Sequence, residues 1–198
     1  GLCQDTQELA CDYPEDFFKP KVHIVPRMRP DERQVNQAVD LIKSSKNPLI
    51  ISGGGVRYSQ ANKALSNLAQ RLQIPVAETI AGKGAFTHED PVHIGPIGVV
   101  GSTSANYAAQ RADLIIAVGT RLQDFTTGSW TAFDHRAQFI TINAARWDAQ
   151  KHQSLAVVGD AKVCLEELSE HLKDFKLDGK WLSSTKTAFS KWNKLLDE

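Results

Sequence analysis

Two glycine-containing loops hold the residues whose types and spacing could support chemistry in this chain. The run Gly53-Gly54-Gly55 follows a short apolar segment, and the backbone N–H groups of such a loop could approach a phosphate group. The second loop, residues 119–128, combines an Arg and an Asp with three Thr and two Gly. The candidate nucleotide-binding residues are Gly54, Gly55, Gly119 and Arg121.

The complete sequence motifs for nucleotide binding do not occur in these loops. The dinucleotide pattern G-x-G-x-x-G would start at Gly53, but its third glycine position is Tyr58. The run Gly82-Lys83-Gly84-Ala85 lacks the spacing of a Walker phosphate loop. Glu78 lies near the position of the acid that holds a ribose in the dinucleotide pattern. A tight turn built from Gly, and an Arg–Asp ion pair that holds the second loop, remain alternative interpretations.

No residue of this chain is predicted to act as a catalyst or as a metal ligand. The six His are scattered, and they form neither an H-E-x-x-H motif nor an i, i+4 pair that would bind a metal ion. The G-x-S-x-G pattern of serine hydrolases is also missing. Cys164 lies on the apolar face of a predicted helix, where a thiol acts as a small, unreactive apolar group.

Composition excludes several classes of partner. Among 198 residues, 23 Lys and Arg balance 23 Asp and Glu, so the chain lacks the net positive charge that binds nucleic acid. The longest apolar run, residues 114–118, is far shorter than the roughly 20 residues that span a bilayer. Three Cys without a C-x-x-C pair favour a reducing compartment. We therefore expect a cytoplasmic protein that binds neither nucleic acid nor membrane.

Alternating strand and helix patterns must position the two loops. Short apolar runs predict at least five strands, and amphipathic helical patterns lie between them. This alternation predicts an α/β fold, a Rossmann-like doubly wound parallel sheet of five or six strands with helices on both faces. Ligands bind such sheets at the carboxyl ends of the strands, where both loops lie. The predicted strands are residues 49–51, 75–78, 114–118, 139–142 and 155–158, and the predicted helix caps are Asp31, Ser59, Ser102 and Asp160.

Composition also divides the chain into three parts. Residues 1–30 contain four Pro and clustered charges with little periodicity, which predicts an extended linker. Residues 31–173 carry the α/β pattern. Residues 174–198 are rich in Lys and Asp and are predicted to be a connector. We expect both end segments to join this domain to further domains of a longer protein.

Several loop sequences point to a known family when they are taken together. They are Gly53-Gly54-Gly55-Val56, Gly82-Lys83-Gly84-Ala85, Ile97-Gly98-Val99-Val100-Gly101-Ser102, Ser104-Ala105-Asn106 and Gly119-Thr120-Arg121. In combination they resemble the central domain of thiamine-diphosphate-dependent enzymes of the acetolactate synthase group, over about residues 31–173. Four segments resemble, more narrowly, a branch of this family that hydrolyses a cyclic 1,2-dione in myo-inositol catabolism. These segments are residues 4–7, 13–18, 78–85 and 120–127.

The resemblance implies a parent enzyme of three domains. A pyrimidine-binding domain would precede the linker, and a diphosphate-binding domain would follow the connector. These two domains would bind thiamine diphosphate and Mg²⁺, because the family's Gly-Asp-Gly and Asn-Asn motif is not found here. The parent would cleave a C–C bond of its cyclic dione to release 5-deoxyglucuronate. It would be a homodimer or homotetramer, and this chain alone would be inactive.

For this chain the resemblance implies a structural role beside the substrate channel. The candidate channel residues are Asp124, Thr126 and Thr127, which share the second loop. Flavin-containing relatives hold FAD with a His, an Arg and an acid where this chain has Val100, Phe125 and Asn143, so FAD is not expected. Whether a vestigial nucleotide site persists stays open. The alternative interpretation is a self-contained Rossmann-like module that binds ADP, FAD or NAD.

Overall fold

The computed structural model describes residues 1–196, which contain one six-stranded sheet. The strands are β1 (Pro48–Ser52), β2 (Val76–Glu78), β3 (His93–Pro96), β4 (Leu114–Val118), β5 (Gln138–Asn143) and β6 (Leu155–Val158). All neighbours pair in parallel, in the order β3-β2-β1-β4-β5-β6. This is the strand order of a Rossmann-type sheet. From β1 the chain builds the sheet outward on one side to β3, and then returns to add β4 on the other side of β1, which is the strand-order reversal. The predicted doubly wound parallel sheet is confirmed.

The two central strands are buried along their whole length because helices cover both faces of the sheet. Every residue of β1 and of β4 is buried, and both strands are mostly aliphatic. A parallel strand with two covered faces requires such a continuous apolar run. The same physical reason made residues 49–51 and 114–118 recognisable as strands in the sequence.

The helices pack on the sheet as two separate apolar clusters. The described residues form α1 (Gln4–Gln7), α2 (Glu32–Ser44), α3 (Gly54–Tyr58), α4 (Asn62–Leu72), α5 (Thr103–Arg111), α6 (Asp124–Thr127), α7 (Arg146–Ala149), α8 (Ala161–His171) and α9 (Lys180–Leu196). On one face, α2, α4 and α8 bury side chains such as Ile42 and Leu65. On the other face, α9 buries Phe189, and α5 buries the small residues Ala105 and Ala108, which let it approach the sheet closely.

Three of the four predicted helix caps are confirmed. The side chains of Asp31, Ser102 and Asp160 accept hydrogen bonds from backbone N–H groups in the first turns of α2, α5 and α8. The prediction for Ser59 is wrong, because α4 begins at Asn62 and its cap position carries no side-chain hydrogen bond. The Ser59 hydroxyl instead donates to a carboxylate oxygen of Asp160 (2.8 Å).

Strand β3 was not predicted. It has only four residues, and two of them, Gly95 and Pro96, are types that are depleted in strands. Side chains of the neighbouring helices nevertheless satisfy two of its carbonyl groups. Lys186 donates to the carbonyl of His93 (3.0 Å), and Ser104 donates to that of Ile94 (2.9 Å).

Helix α9 occupies most of the segment that the sequence predicted to be a connector. It packs against α5 and β3, and the indole N–H of Trp181 donates to the carbonyl of Pro48 (2.9 Å). Residues 180–196 therefore form part of this domain's packing. Their role as a connector to another domain stays a prediction.

Every residue from 1 to 29 is exposed. This segment contains α1 and a 3₁₀ turn at Glu15–Phe18, and otherwise runs without regular structure. It lies outside both apolar clusters, and its role as a linker from another domain stays a prediction. In residues 1–196, no helix is long and apolar enough to cross a bilayer.

Candidate functional site

The two candidate loops meet where the strand order of the sheet reverses. The loop after β1, the loop after β4 and the turn Ile80–Gly82 after β2 line a cleft of about 200 Å³. Rossmann-type sheets bind their ligands at this position. The structure brings all four candidate nucleotide-binding residues to this cleft, namely Gly54, Gly55, Gly119 and Arg121.

Close backbone packing accounts for three of the glycines around the cleft. A Cβ atom on Gly53 would overlap the carbonyl group of Gly119, and one on Gly55 would lie 2.7 Å from the Gly119 Cα. The N–H of Gly55 donates to the Gly119 carbonyl (2.9 Å), and that of Gly53 donates to the Val118 carbonyl (2.8 Å). Two of the three N–H groups that could approach a phosphate are therefore engaged by the end of β4.

The ion pair that the sequence suggested within the second loop does not form. The Asp124 carboxylate instead accepts a hydrogen bond from the Ser129 hydroxyl (2.8 Å). Both Arg121 and Asp124 are exposed, and they line a shared hollow of about 420 Å³ beside the cleft. The two charged groups thus face solvent at the carboxyl edge of the sheet.

The two Thr of α6 have different surroundings. Thr126 lines the cleft and is almost buried. Thr127 is fully buried, and its hydroxyl donates to the Asp124 carbonyl (3.4 Å) and accepts from the Trp130 N–H (3.3 Å). Of the three candidate channel residues, Asp124 and Thr126 reach the cleft or its rim, whereas Thr127 holds the loop from inside.

Glu78 is buried away from the cleft and cannot hold a ribose there. Its Oε1 accepts hydrogen bonds from the N–H groups of Ala85 (2.9 Å) and Phe86 (3.0 Å), which fixes the loop after β2. Its Oε2 lies 3.2 Å from Nε2 of His93, which is also buried. No sequence pattern indicates this pair, because its two members lie on different strands that become neighbours only in the folded sheet.

The apolar side chain of Phe125 lines the exposed edge of the cleft, and that of Val100 lies on the neighbouring loop. Val100 is 65% exposed and Phe125 is 60% exposed. The N–H of Val99 donates to the Phe125 carbonyl (2.9 Å), so these two loops are joined through their backbones. Asn143, at the end of β5, has an internal role, since its side-chain amide donates to the Thr120 carbonyl (3.3 Å).

The residues present do not fit the diphosphate and metal end of a thiamine cofactor. In the described part of the chain, no cluster of three or more His, Cys, Asp or Glu side chains could hold a metal ion. The carboxylate of Asp160 is already hydrogen-bonded to Arg27 and Ser59. Cys164 lies buried on α8, and burial raises the pKa of its thiol to about 12, so the thiol stays protonated and unreactive.

A larger groove that the sequence did not indicate lies beside Trp130. It has a volume of about 670 Å³ and a wall of packed rings from Trp130, Phe133, Phe139 and His152. The ring centroids of Trp130 and His152 are 4.0 Å apart, and both residues have positive φ angles, of 66° and 62°. Aromatic residues spread over three segments carry no sequence signature, which explains why the groove could not be predicted.

Comparison with protein families gives a match over most of the domain. The family described as "Thiamine pyrophosphate enzyme, central domain" matches residues 35–168. These limits run from the first buried residue of α2 to the last buried residue within α8.

Curated bacterial proteins resemble this chain closely. Those of Clostridium perfringens and Geobacillus thermodenitrificans are each 45% identical to it, over 87% and 100% of this chain, and one from Listeria monocytogenes is 44% identical over 88%. All three bear the name 3D-(3,5/4)-trihydroxycyclohexane-1,2-dione hydrolase. The chain spans only 27–30% of their length. With its six-stranded parallel sheet and its family match, the chain belongs to the thiamine pyrophosphate enzymes as a central domain of that family.

Proposed function

We propose that this chain is the central domain of a longer thiamine-diphosphate-dependent hydrolase, which cleaves a C–C bond of trihydroxycyclohexane-1,2-dione to give 5-deoxyglucuronate in myo-inositol catabolism. Identity of 44–45% to curated relatives with that hydrolase name supports the substrate. The relatives are more than three times as long as this chain, which supports further domains in addition to this one.

The role proposed for the chain itself is to shape the substrate channel without performing chemistry. One observation carries this proposal. The glycine loops at the strand-order reversal form hydrogen bonds and close contacts with each other, while Asp124 and Thr126 lie at the cleft and beside it. A closely packed base that carries a carboxylate and a hydroxyl group beside its apolar side chains can orient a hydroxylated ring that passes it. Thr127 would contribute indirectly, by holding the loop of Asp124 in place.

Thiamine diphosphate and Mg²⁺ are proposed to be bound by parts of the enzyme outside these 198 residues. The absence of a metal-ligand cluster from the described residues, and the internal hydrogen bonds of Asp160, support this division of labour. When bound, the cofactor supplies an electron sink for C–C cleavage. We further propose that the enzyme is a cytoplasmic homodimer or homotetramer.

A second candidate function is supported by the position of the cleft. A strand-order reversal lined by Gly54, Gly55, Gly119 and Arg121 is where a Rossmann-like module would bind ADP, FAD or NAD. Thermal unfolding of the full-length protein with each nucleotide tests it. A ligand present at one hundred times its Kd raises the free energy of unfolding by about 2.7 kcal/mol. A rise in Tm that Gly54→Val abolishes would establish a nucleotide site, and an unchanged Tm would reject it.

The channel role is tested by Asp124→Asn in the full-length enzyme. We expect a rise in KM for the cyclic dione of about fivefold with little change in kcat, because the carboxylate would bind substrate and transition state alike. The matched control is Asp40→Asn, which removes an exposed carboxylate on α2. Equal KM values for the two variants would remove Asp124 from the channel.

A further inference from the structure

The first part of the chain exposes large apolar side chains to an unusual degree. Tyr13, Phe17 and Phe18 are 58%, 58% and 70% exposed. The ring centroids of Tyr13 and Phe17 are 4.7 Å apart, and those of Phe17 and Phe18 are 5.3 Å apart. These three rings, here called the aromatic knob, pack on one another and are absent from both apolar clusters of the domain. A contiguous apolar surface of this kind marks an interaction site.

The charge around the aromatic knob is mostly negative, although Lys19 directly follows Phe18 and forms an ion pair with Asp16 (2.5 Å). Residues 1–18 contain no Lys, Arg or His. The acidic residues of the same stretch are Asp5, Glu8, Asp12, Glu15 and Asp16. The whole chain is neutral, so this concentration of carboxylates is local. A surface that receives the knob would therefore combine an apolar pocket with Lys or Arg at its edge.

The segment leaves the domain from a fixed point. Arg27 donates hydrogen bonds to a carboxylate oxygen of Asp160 (2.8 Å) and to the carbonyl of Ser59 (2.7 Å). The Asp160 N–H donates to the Met28 carbonyl (2.9 Å), and a Cβ on Gly159 would lie 3.1 Å from that carbonyl oxygen. These contacts set where residues 1–26 begin to diverge from the domain, and thus limit which surfaces the knob can reach.

We propose that residues 1–18 are a docking element that binds a basic, apolar groove on the part of the same polypeptide outside these 198 residues. This proposal rests on the proposed function, which places the chain within a longer enzyme. The Geobacillus relative aligns with all 198 residues yet is more than three times as long, so most of such a polypeptide is available as the receiving surface.

A receiving surface on the same polypeptide suits the size of the knob better than a second copy does. A stable interface between separate molecules buries about 1,200–2,000 Å², which three rings on a short segment do not supply alone. Within one polypeptide, the short tether from Arg27 raises the effective concentration of the knob, so a small contact can stay closed.

The test compares variants of the full-length protein. Phe17→Ser with Phe18→Ser removes most of the knob, and Trp147→Ser is the matched control, since Trp147 is 81% exposed on a different surface. Trypsin can cut after Lys21, which docking would shield, whereas Pro20 blocks the bond after Lys19. We expect cleavage after Lys21 at least tenfold faster in the double variant than in the wild type or the control. Equal rates in all three proteins would overturn the proposal.

Two further measurements identify the receiving surface. Neutralising charge with Asp12→Asn and Glu15→Gln adds no new trypsin site and should also speed cleavage after Lys21, and an unchanged rate would contradict a basic groove. Light scattering should give the same mass for the Phe17, Phe18 double variant and the wild type. A lower mass for that variant would overturn docking within one polypeptide in favour of a second copy. Wild-type turnover of the cyclic dione is measured separately, so failure of the proposed function is distinguishable from failure of docking.

Discussion

The cleft at the strand-order reversal and the groove beside Trp130 are closed by different kinds of contact. Around the cleft, Gly53, Gly55 and Gly119 bring two backbones into direct contact and leave about 200 Å³ of space. Around the groove, aromatic side chains form the wall and about 670 Å³ remains. The position where this fold usually binds a nucleotide is therefore closely packed here, while larger open space lies elsewhere.

The largest expected effect on stability comes from a substitution in the glycine loop at the cleft. Gly53→Ala should reduce the free energy of unfolding by about 3 kcal/mol, because its Cβ would overlap the backbone of Gly119 and overpacking is costly. Gly53 has ordinary extended dihedral angles, so the loss would come from the clash alone. Urea denaturation of the protein gives the measurement.

Gly84→Ala is the matched control for this prediction. Gly84 has a φ of +88° but open space around its Cβ position, so the expected loss is about 1 kcal/mol of backbone strain. If Gly53→Ala cost no more than Gly84→Ala, the glycine loop would be able to yield, and the rigid interpretation of the cleft would fail.

The next effect is on the groove. Trp130→Ala should reduce the free energy of unfolding by about 2 kcal/mol, because the ring packs on Phe133, Phe139 and His152 but remains 36% exposed. The control Trp147→Ala should cost under about 0.5 kcal/mol, since Trp147 is 81% exposed. Equal losses in urea would mean that the aromatic wall adds nothing to stability.

The smallest effect is a pH dependence of the groove. Partial burial of the ring against Trp130, with the nearby charge of Lys151, lowers the pKa of His152 below its usual value of 6.5. The unfolded chain therefore binds more protons in the window between the folded pKa and 6.5, and stability rises with pH through that window. Stability is fully present above pH 6.5 and declines as pH falls toward the folded pKa.

His152→Asn should flatten this pH dependence. Asn tolerates the left-handed backbone that His152 adopts, so the substitution removes the titrating ring without adding strain. Thermal unfolding between pH 5 and pH 8 gives the comparison. An equally steep profile in the variant would assign the pH dependence to another group.

Local sequence patterns predicted most of the fold but little of the site's geometry. The strands β1 and β4 and the caps Asp31 and Asp160 follow from apolar runs and from hydrogen bonds within one turn, which are local rules. The topology rules for parallel sheets then placed both candidate loops at one edge. The same rules could not show that the N–H of Gly55 is engaged by Gly119, because that contact joins residues 64 positions apart.

The missed features share one physical cause. The Glu78–His93 pair and the wall around Trp130 consist of side chains that meet only after the sheet has formed. Ser59 could not be assigned correctly for the same reason, since its hydroxyl is claimed by Asp160 across 101 residues. Predictions from a single sequence succeed where the partner is near in the chain and fail where it is distant.

The side chain that donates a hydrogen bond to β3 affects the tendency of the protein to aggregate. An uncovered edge strand offers free backbone groups to a strand of another molecule and so promotes aggregation. Here β3 is the last strand of the sheet, and the ammonium group of Lys186 donates a hydrogen bond to the carbonyl of His93. A second strand that approached β3 would have to displace this ammonium from its carbonyl. Helix α9, which carries Lys186, thereby hinders a strand of another molecule from pairing with this edge of the sheet.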